Sequence, residues 1–379
     1  MISKTVKGNS TEAIKKEIDK ATSDGFEPTL AIVFTSIKQD WKAIIDVLNQ
    51  KEIAVFGATT SGEFIDGDIE EGSIVMMLLD INPKHFRVLF LETGEHTTHE
   101  NAKQIGIAGK NTFNNPAFII ASGWLHIDGE KIIEGIIKGF GNEVTVFGGM
   151  AGDDLAMQGP LVFTNEKSAV NGLLALIVDE DKIEINGIAT CGWKPIGTTK
   201  TVTKSEGNIV YTIDDKPALD MVMKYLGLDI DLDSGNDVLT NIGAYYPLQL
   251  ERENVTPVMR TAMWGNKEDR SLICAGTVPQ GAKVRFSLPP DFDAIEQVID
   301  ECKEVKKERQ KEADALIMFS CISRHLSFGI LMTEEIEQVK QVWDAPMVGF
   351  FSYGEFGKSK TGKHEFHNNT CCVVALKEK

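Results

Sequence analysis

The sequence predicts an α/β protein of two domains, in which mixed sheets layered with helices are built from repeated β-α-β-(Gly-rich turn)-β units. Three observations predict it. An order of apolar strand, helical stretch, second strand, glycine-rich turn and closing strand occurs three times; the closing strands are near-continuous apolar runs; and segments with helical spacing alternate with the strands. Strands alternating with helices are the pattern of layered α/β architecture, and a repeat of this kind governs how every later motif is read.

The first element, Thr11–Ala21, has Ile14 and Ile18 four apart, which puts both on one helix face. The first unit then runs from the strand Leu30–Ser36 to Ile53–Phe64, the second from Ala117–Gly123 to Val144–Asp154, and the third from Ala315–Cys321 to Met347–Phe356. Each first strand ends on small polar residues. Each turn has two glycines followed by an acid: Gly57 and Gly62 with Glu63, Gly148 and Gly152 with Asp153, Gly349 and Gly354 with Glu355. The closing runs Ser73–Asp80, Gly172–Asp179 and Thr370–Lys377 have the composition of strands buried on both faces. In the last of them, Cys371 and Cys372 are expected to face opposite sides of a sheet and to be core residues.

The third turn follows the second at more than twice the interval between the first two, so a segment has been inserted. We read the insertion as about residues 182–290, made of strands and hairpins (Ile183–Trp193, Gly207–Ile213, Lys283–Leu288) around the short helix Pro217–Gly227. Asp293–Asp314 follows as a helix capped by Asp291. The acidic stretch Leu228–Asp237 reads as a loop, and the boundary falls between about residues 205 and 235. The expected modules are 1–215 and 216–379.

The chain has 379 residues, 42 % of them hydrophobic and 25 % charged, the composition of a globular protein with apolar side chains enough for buried sheets. A formal charge of −17 repels polyphosphate backbones and anionic membranes, so neither nucleic acid nor a membrane is an expected partner. MISKTVKGNS has no apolar core of a leader, and a cytoplasmic protein is expected. The six cysteines lack CxxC spacing and read as free thiols.

Glycines at a strand end let a ligand approach the backbone, and the N–H groups of such turns suit small anions. In open α/β sheets ligands bind beyond the carboxyl ends of the strands, where Thr35, Ser36, Ser122, Ser320 and Cys321 should lie. The candidate ligand-binding residues are therefore Thr59, Thr60, Ser61 and Glu63 from the first turn, Met150 and Asp153 from the second, and Ser352, Tyr353, Gly354 and Glu355 from the third. The alternative is that the glycines only permit positive φ. Arg324 reads as a carboxylate clamp or as a partner for Glu355, and Arg260 as a second clamp or as a strand-surface charge. Trp193 and Trp264 read as core or pocket wall.

The strings Phe56–Phe64, Phe319–His325, Val348–Phe356 and Phe366–Thr370 resemble the FIST family, whose name refers to F-box and intracellular signal-transduction proteins. The resemblance covers nearly the whole chain. It implies a sensor of small ligands, amino acids among them, so that the turns Thr59–Glu63 and Ser352–Glu355, with Arg324, His367 and Asn368, would enclose a small polar molecule. The family is often fused to signalling output modules; this chain, ending at Lys379, shows none and is expected to report to a separate signalling partner. A subgroup similar to this family binds haem and senses nitric oxide. In that alternative His367 is the first axial candidate; otherwise it is a hydrogen-bonding member of a turn–strand junction. No other cofactor and no metal is expected.

Two further chemistries have weak support. Gly357–His364 approximates a phosphate-binding loop, but His364 stands at the Ser/Thr position and a strand follows where a helix is needed. Cys321 with Arg324 suggests a thiol-dependent enzyme, but the arginine comes three residues on, too close for an anion cradle of the phosphatase type. GxSxG, HExxH, DxDxDG and GxGxxG are absent from credible strand or helix positions, so catalysis is not expected.

Overall fold

A computed structural model describes residues 1–92, 97–123, 128–227, 238, 242–309 and 312–379. The acidic stretch 228–237, where the sequence suggests dividing the chain, lies outside the described residues. The described residues form three six-stranded mixed sheets of one plan and a fourth sheet of eight strands.

The common plan explains the apolar runs. In each six-stranded sheet the first and second strands of a unit are parallel: Leu30–Ser36 with Ala54–Thr60, Pro116–Ser122 with Val146–Met150, Ala315–Cys321 with Met347–Ser352. The closing strands Ile74–Asp80, Gly172–Asp179 and Cys371–Glu378 lie antiparallel on the other side of the first strand. Outside each closing strand runs an opening strand, Ile2–Gly8, Phe86–Glu92 or Ile183–Thr190. Ile183–Thr190 therefore starts the third unit, and the insertion begins after it. That correction was hidden because the insertion separates this strand from the rest of its sheet.

All three sheets contribute one face to a shared core. Leu30, Ile32 and Phe34, Ala117, Ile119 and Ala121, and Ala315, Ile317 and Phe319 belong to one buried cluster. The alternate residues Ala31 and Val33 pack on the other face, under the helices Thr11–Ala21 and Trp41–Asn49. Strands covered on both sides have no polar face, which is why their sequences do not alternate. Cys371 and Cys372 fall in different clusters, one on each side of their sheet.

Between its turn and its closing strand each unit carries a short hairpin, and each hairpin joins the sheet of another unit. Glu63–Ile65 of the first unit pairs with Met347–Ser352 of the third. Val162–Phe163 of the second pairs with Ala54–Thr60 of the first. Glu355–Lys358 of the third pairs with Val146–Met150 of the second. The exchange is cyclic, so the three turns meet. Gly152 N donates to Thr59 O at 2.8 Å, Met150 N to Gly354 O at 2.8 Å, and Phe351 N to Gly62 O at 2.9 Å, linking each turn to the other two.

Gly152 is required by this approach: a Cβ there would lie 2.4 Å from Ser61 Oγ and 2.7 Å from the Ser61 nitrogen. Gly152→Ala is expected to destabilise the protein by about 1–3 kcal/mol through overpacking, measured as a lower urea midpoint at unchanged slope. A midpoint equal to that of the wild type would mean that the junction has slack.

The insertion has its own core. Val202, Val210, Leu219, Val222, Leu248, Val284 and Phe286 cluster between the eight-stranded sheet and the helix Ala218–Leu226. The helix after it runs Phe292–Glu308, shorter than expected at its carboxyl end, with Asp291 at the cap position.

Candidate functional site

Most of the turn residues are consumed by the junction. Thr59 Oγ1 donates to Gly152 O at 2.7 Å and accepts from Leu161 N at 2.9 Å. Glu63 is fully buried, bonded to Thr60 Oγ1 and to the nitrogen and hydroxyl of Ser73. Glu355 repeats the arrangement with Ser352 Oγ at 2.6 Å and with the Thr370 hydroxyl and nitrogen. Each acid thus ties its turn to the start of its own closing strand. Burial pushes the Glu63 carboxyl up to about 7 and the Glu355 carboxyl to about 8, against the opposing pull of these hydrogen bonds. Asp153 differs: it accepts from the nitrogens of Met157, Gln158 and Gly159 and from the Tyr353 hydroxyl, and so folds the connection after the second turn. Gly354 packs against Phe366. Glu63, Asp153 and Glu355 therefore lock their turns through these bonds.

The two arginines are also internal. Arg324 is fully buried and forms a two-pronged ion pair with Glu335, its Nε 3.0 Å from Oε1, while its Nη1 donates to Cys191 O and Asn369 O. Glu355 is not its partner, which corrects one expectation, and the guanidinium is not open to a ligand carboxylate, which corrects the other. Arg260 is not a strand-surface charge. It is 2 % exposed, paired with Glu130, and bonded to Thr277 O at 2.8 Å and to Phe366 O.

Cys321 is buried, and burial raises its thiol above the ordinary range, the opposite of an activated nucleophile. Ser320 is buried in the same strand. His367 sits in the turn–strand junction with Nε2 3.3 Å from Gly357 O, and burial lowers it to about 4. The residue is 2 % exposed. Asn368 is fully buried, and neither of its polar side-chain atoms has a partner among the described residues. Gly357–His364 forms a hairpin turn between two strands, without the helix a phosphate-binding loop requires.

What remains open lies beside the junction. A cavity of about 390 Å³ opens at the carboxyl ends of the second unit's strands, where Met150 and Tyr353 of the turns meet Trp264, Cys274 and Thr277 of the insertion and Asp128 and Lys131 of the second unit. Asp128 builds its rim by two bonds: Oδ1 caps the helix Gly129–Phe140 at Glu130 N, and Oδ2 accepts from Thr277 Oγ1 at 3.1 Å. Behind this rim, Arg260 joins Glu130 to the carbonyl of Thr277, which ties the insertion to the helix. The Tyr353 hydroxyl donates to Asp153 and accepts from Leu155 N, so it presents its ring and not a free hydroxyl.

This wall combines apolar and aromatic surface with a carboxylate, an ammonium group and backbone, the composition of a site for a small polar molecule. Of the residues proposed from sequence, only Met150 and Tyr353 reach it. Trp264 fulfils its reading as pocket wall; Asp128, Lys131, Asn208 and Thr277 were not found. Asp128 is legible in retrospect as a helix cap, but nothing near Thr277 or Asn208 marks them. Among the described residues no group of His, Cys, Asp and Glu is arranged to hold a metal, and no helix is long and apolar enough to cross a membrane.

Residues 29–216 match the FIST N domain and residues 218–358 the FIST C domain. An uncharacterized protein of Methanocaldococcus jannaschii is similar, 23 % identical over an alignment that covers 94 % of this chain and 74 % of that protein. Together the two matches span most of the chain: it belongs to the FIST family, whose domains are associated with sensory signal transduction.

Proposed function

We propose that the protein binds a small polar molecule of amino-acid size in the 390 Å³ cavity and reports its occupancy to a separate signalling partner. The observation that carries this reading is the composition of the wall. Met150 and Tyr353 come from the repeat junction and Trp264 and Thr277 from the insertion, so a ligand there bears on both parts at once. A ligand can shift an equilibrium only by its differential affinity for two states, and a site shared between two packed parts is where such a difference arises. We keep the division into modules 1–215 and 216–379, a cytoplasmic location, and binding rather than catalysis as parts of this proposal.

Thermal-shift screening against amino acids, small carboxylates and haemin tests it, because a ligand that binds only the folded state raises the melting temperature by mass action. A stabilising small molecule is expected, with the shift lost in Trp264→Ala and Thr277→Val. Shifts that persist in both variants would remove the ligand from this cavity, and a shift with haemin accompanied by a Soret band would favour the haem sensor instead.

A further inference from the structure

The construction of the first cavity occurs twice. In the second sheet, the helix that follows the first strand begins at Asp128, and the accepted hairpin brings the turn residue Tyr353 of the third unit beside it. In the third sheet, the helix that follows the first strand is Ile322–Phe328, and the accepted hairpin brings the turn residue Ser61 of the first unit. Tyr353 and Ser61 occupy the same place in their turns, each followed by the glycine and the acid. Between Ser61 and that helix lies a second cavity, of about 500 Å³.

All three units line it. Lys38, Ser61 and Glu71 come from the first, Asp154 and Leu155 from the second, Ile322, His325 and Leu326 from the third. Its polar side chains form two contacts: Lys38 Nζ lies 3.0 Å from Asp154 Oδ2 in an ion pair, and His325 Nε2 lies 3.2 Å from Glu71 Oε1 in a hydrogen bond. Asp154 is held from behind by Ser36 Oγ at 2.8 Å, and the His325 ring is stacked on Phe351 at 4.2 Å, so both groups are fixed in the wall. Ser61 Oγ, 5 % exposed, and His325 Nδ1 are buried without hydrogen-bond partners. A buried polar group without a partner is costly and is relieved by any ligand that supplies one.

We propose that this cavity is a second ligand site, built for a small zwitterion. The ligand's carboxylate takes Lys38, the His325 ring N–H and the Ser61 hydroxyl, its ammonium group takes Asp154 and Glu71, and its apolar part faces Leu155, Ile322 and Leu326. A molecule with one charge of each sign gives Lys38 an anionic partner and the carboxylates of Asp154 and Glu71 a cationic one. A simple anion or amine would engage only one side of this wall, which gives the site its selectivity. The site does not rest on occupancy of the first cavity, since the two share no lining residue.

Calorimetric titration of the full chain with the free proteinogenic amino acids tests the proposal, each hit being repeated as its N-acetyl derivative and its methyl ester. Lys38→Met and His325→Gln probe the second cavity, and Trp264→Ala probes the first. Lys38 is largely exposed, so its variant keeps the fold even where the histidine variant does not. At least one amino acid is expected to bind about 10- to 100-fold more weakly to Lys38→Met, the loss that accompanies removal of a charged hydrogen bond. The same amino acid should bind Trp264→Ala as it does the wild type, and neither derivative should bind. Hits that ignore Lys38→Met, binding by the N-acetyl form, or no amino acid bound at all would each overturn the second site. Hits lost only in Trp264→Ala would do so while upholding the first cavity.

Discussion

Glu335→Ala is expected to destabilise the protein by about 3–5 kcal/mol, the cost of leaving a buried charge without its counter-ion. Both side chains of the Arg324–Glu335 pair are fully buried. Arg324 also lies between two rings, its guanidinium carbon 5.1 Å from the Trp193 centroid and 4.9 Å from that of Phe328. Without Glu335, the carbonyls of Cys191 and Asn369 still accept from Nη1, but nothing neutralises the charge. The pair ties the helix Ile322–Phe328 to the helix Met332–Trp343, with neither side chain exposed to water. Replacing both partners by methionine removes the charge along with its counter-ion, so the double variant should recover most of the loss. Urea denaturation of the two single variants and the double variant checks this; an additive double variant would show that the loss comes from packing and not from charge.

That pair also shows where sequence reading runs out. The repeat plan was legible because a strand buried on both faces carries a continuous apolar run, as Leu30–Ser36 does over residues 30–34 and Cys371–Glu378 over residues 371–376. The partner of Arg324 was not: Glu355 stands in a conspicuous motif, whereas Glu335 stands in an ordinary amphipathic helix eleven residues on. The hairpin exchange was equally hidden. Glu63–Ile65 and Val162–Phe163 are too short to carry a pattern, and which sheet they join is decided by where the other units lie. The motif itself was read for the wrong reason. Thr60, Glu63, Ser352 and Glu355 read as ligand-binding residues of glycine turns, whereas Thr60 with Glu63 and Ser352 with Glu355 satisfy a buried carboxyl within each turn. The cavities lie beside these locks, and their walls come from segments far apart in the chain, so composition near any one of them gives little sign.

The two locks predict an unusual pH dependence. Stability should fall by about 2–3 kcal/mol between about pH 6.5 and 8, at about 1.4 kcal/mol per pH unit and group. Glu63 and Glu355 hold their protons in the folded state up to about pH 7 and about pH 8, while an unfolded carboxyl releases its proton near the reference value of 4.5. The folded state binds more protons in that window, so its stability falls as pH rises. His364 and His367 act in the opposite sense: burial lowers both to about 4 from 6.5, and the unfolded state binds more protons between those values. Below pH 6.5 these two carboxyls and two imidazoles offset one another, leaving the smaller fall from Glu180, which burial raises to about 6; above pH 6.5 Glu63 and Glu355 set the slope. Glu355→Gln should therefore abolish most of the fall above pH 7, because Glu63 has titrated by then. Urea unfolding of the wild type and of Glu355→Gln at closely spaced pH values measures the slope directly, and an equal fall in both would place its source elsewhere. The same charge enters the junction whose turn residues Ser61 and Tyr353 line the two cavities, so any ligand that tightens the junction should bind more weakly as Glu355 ionises.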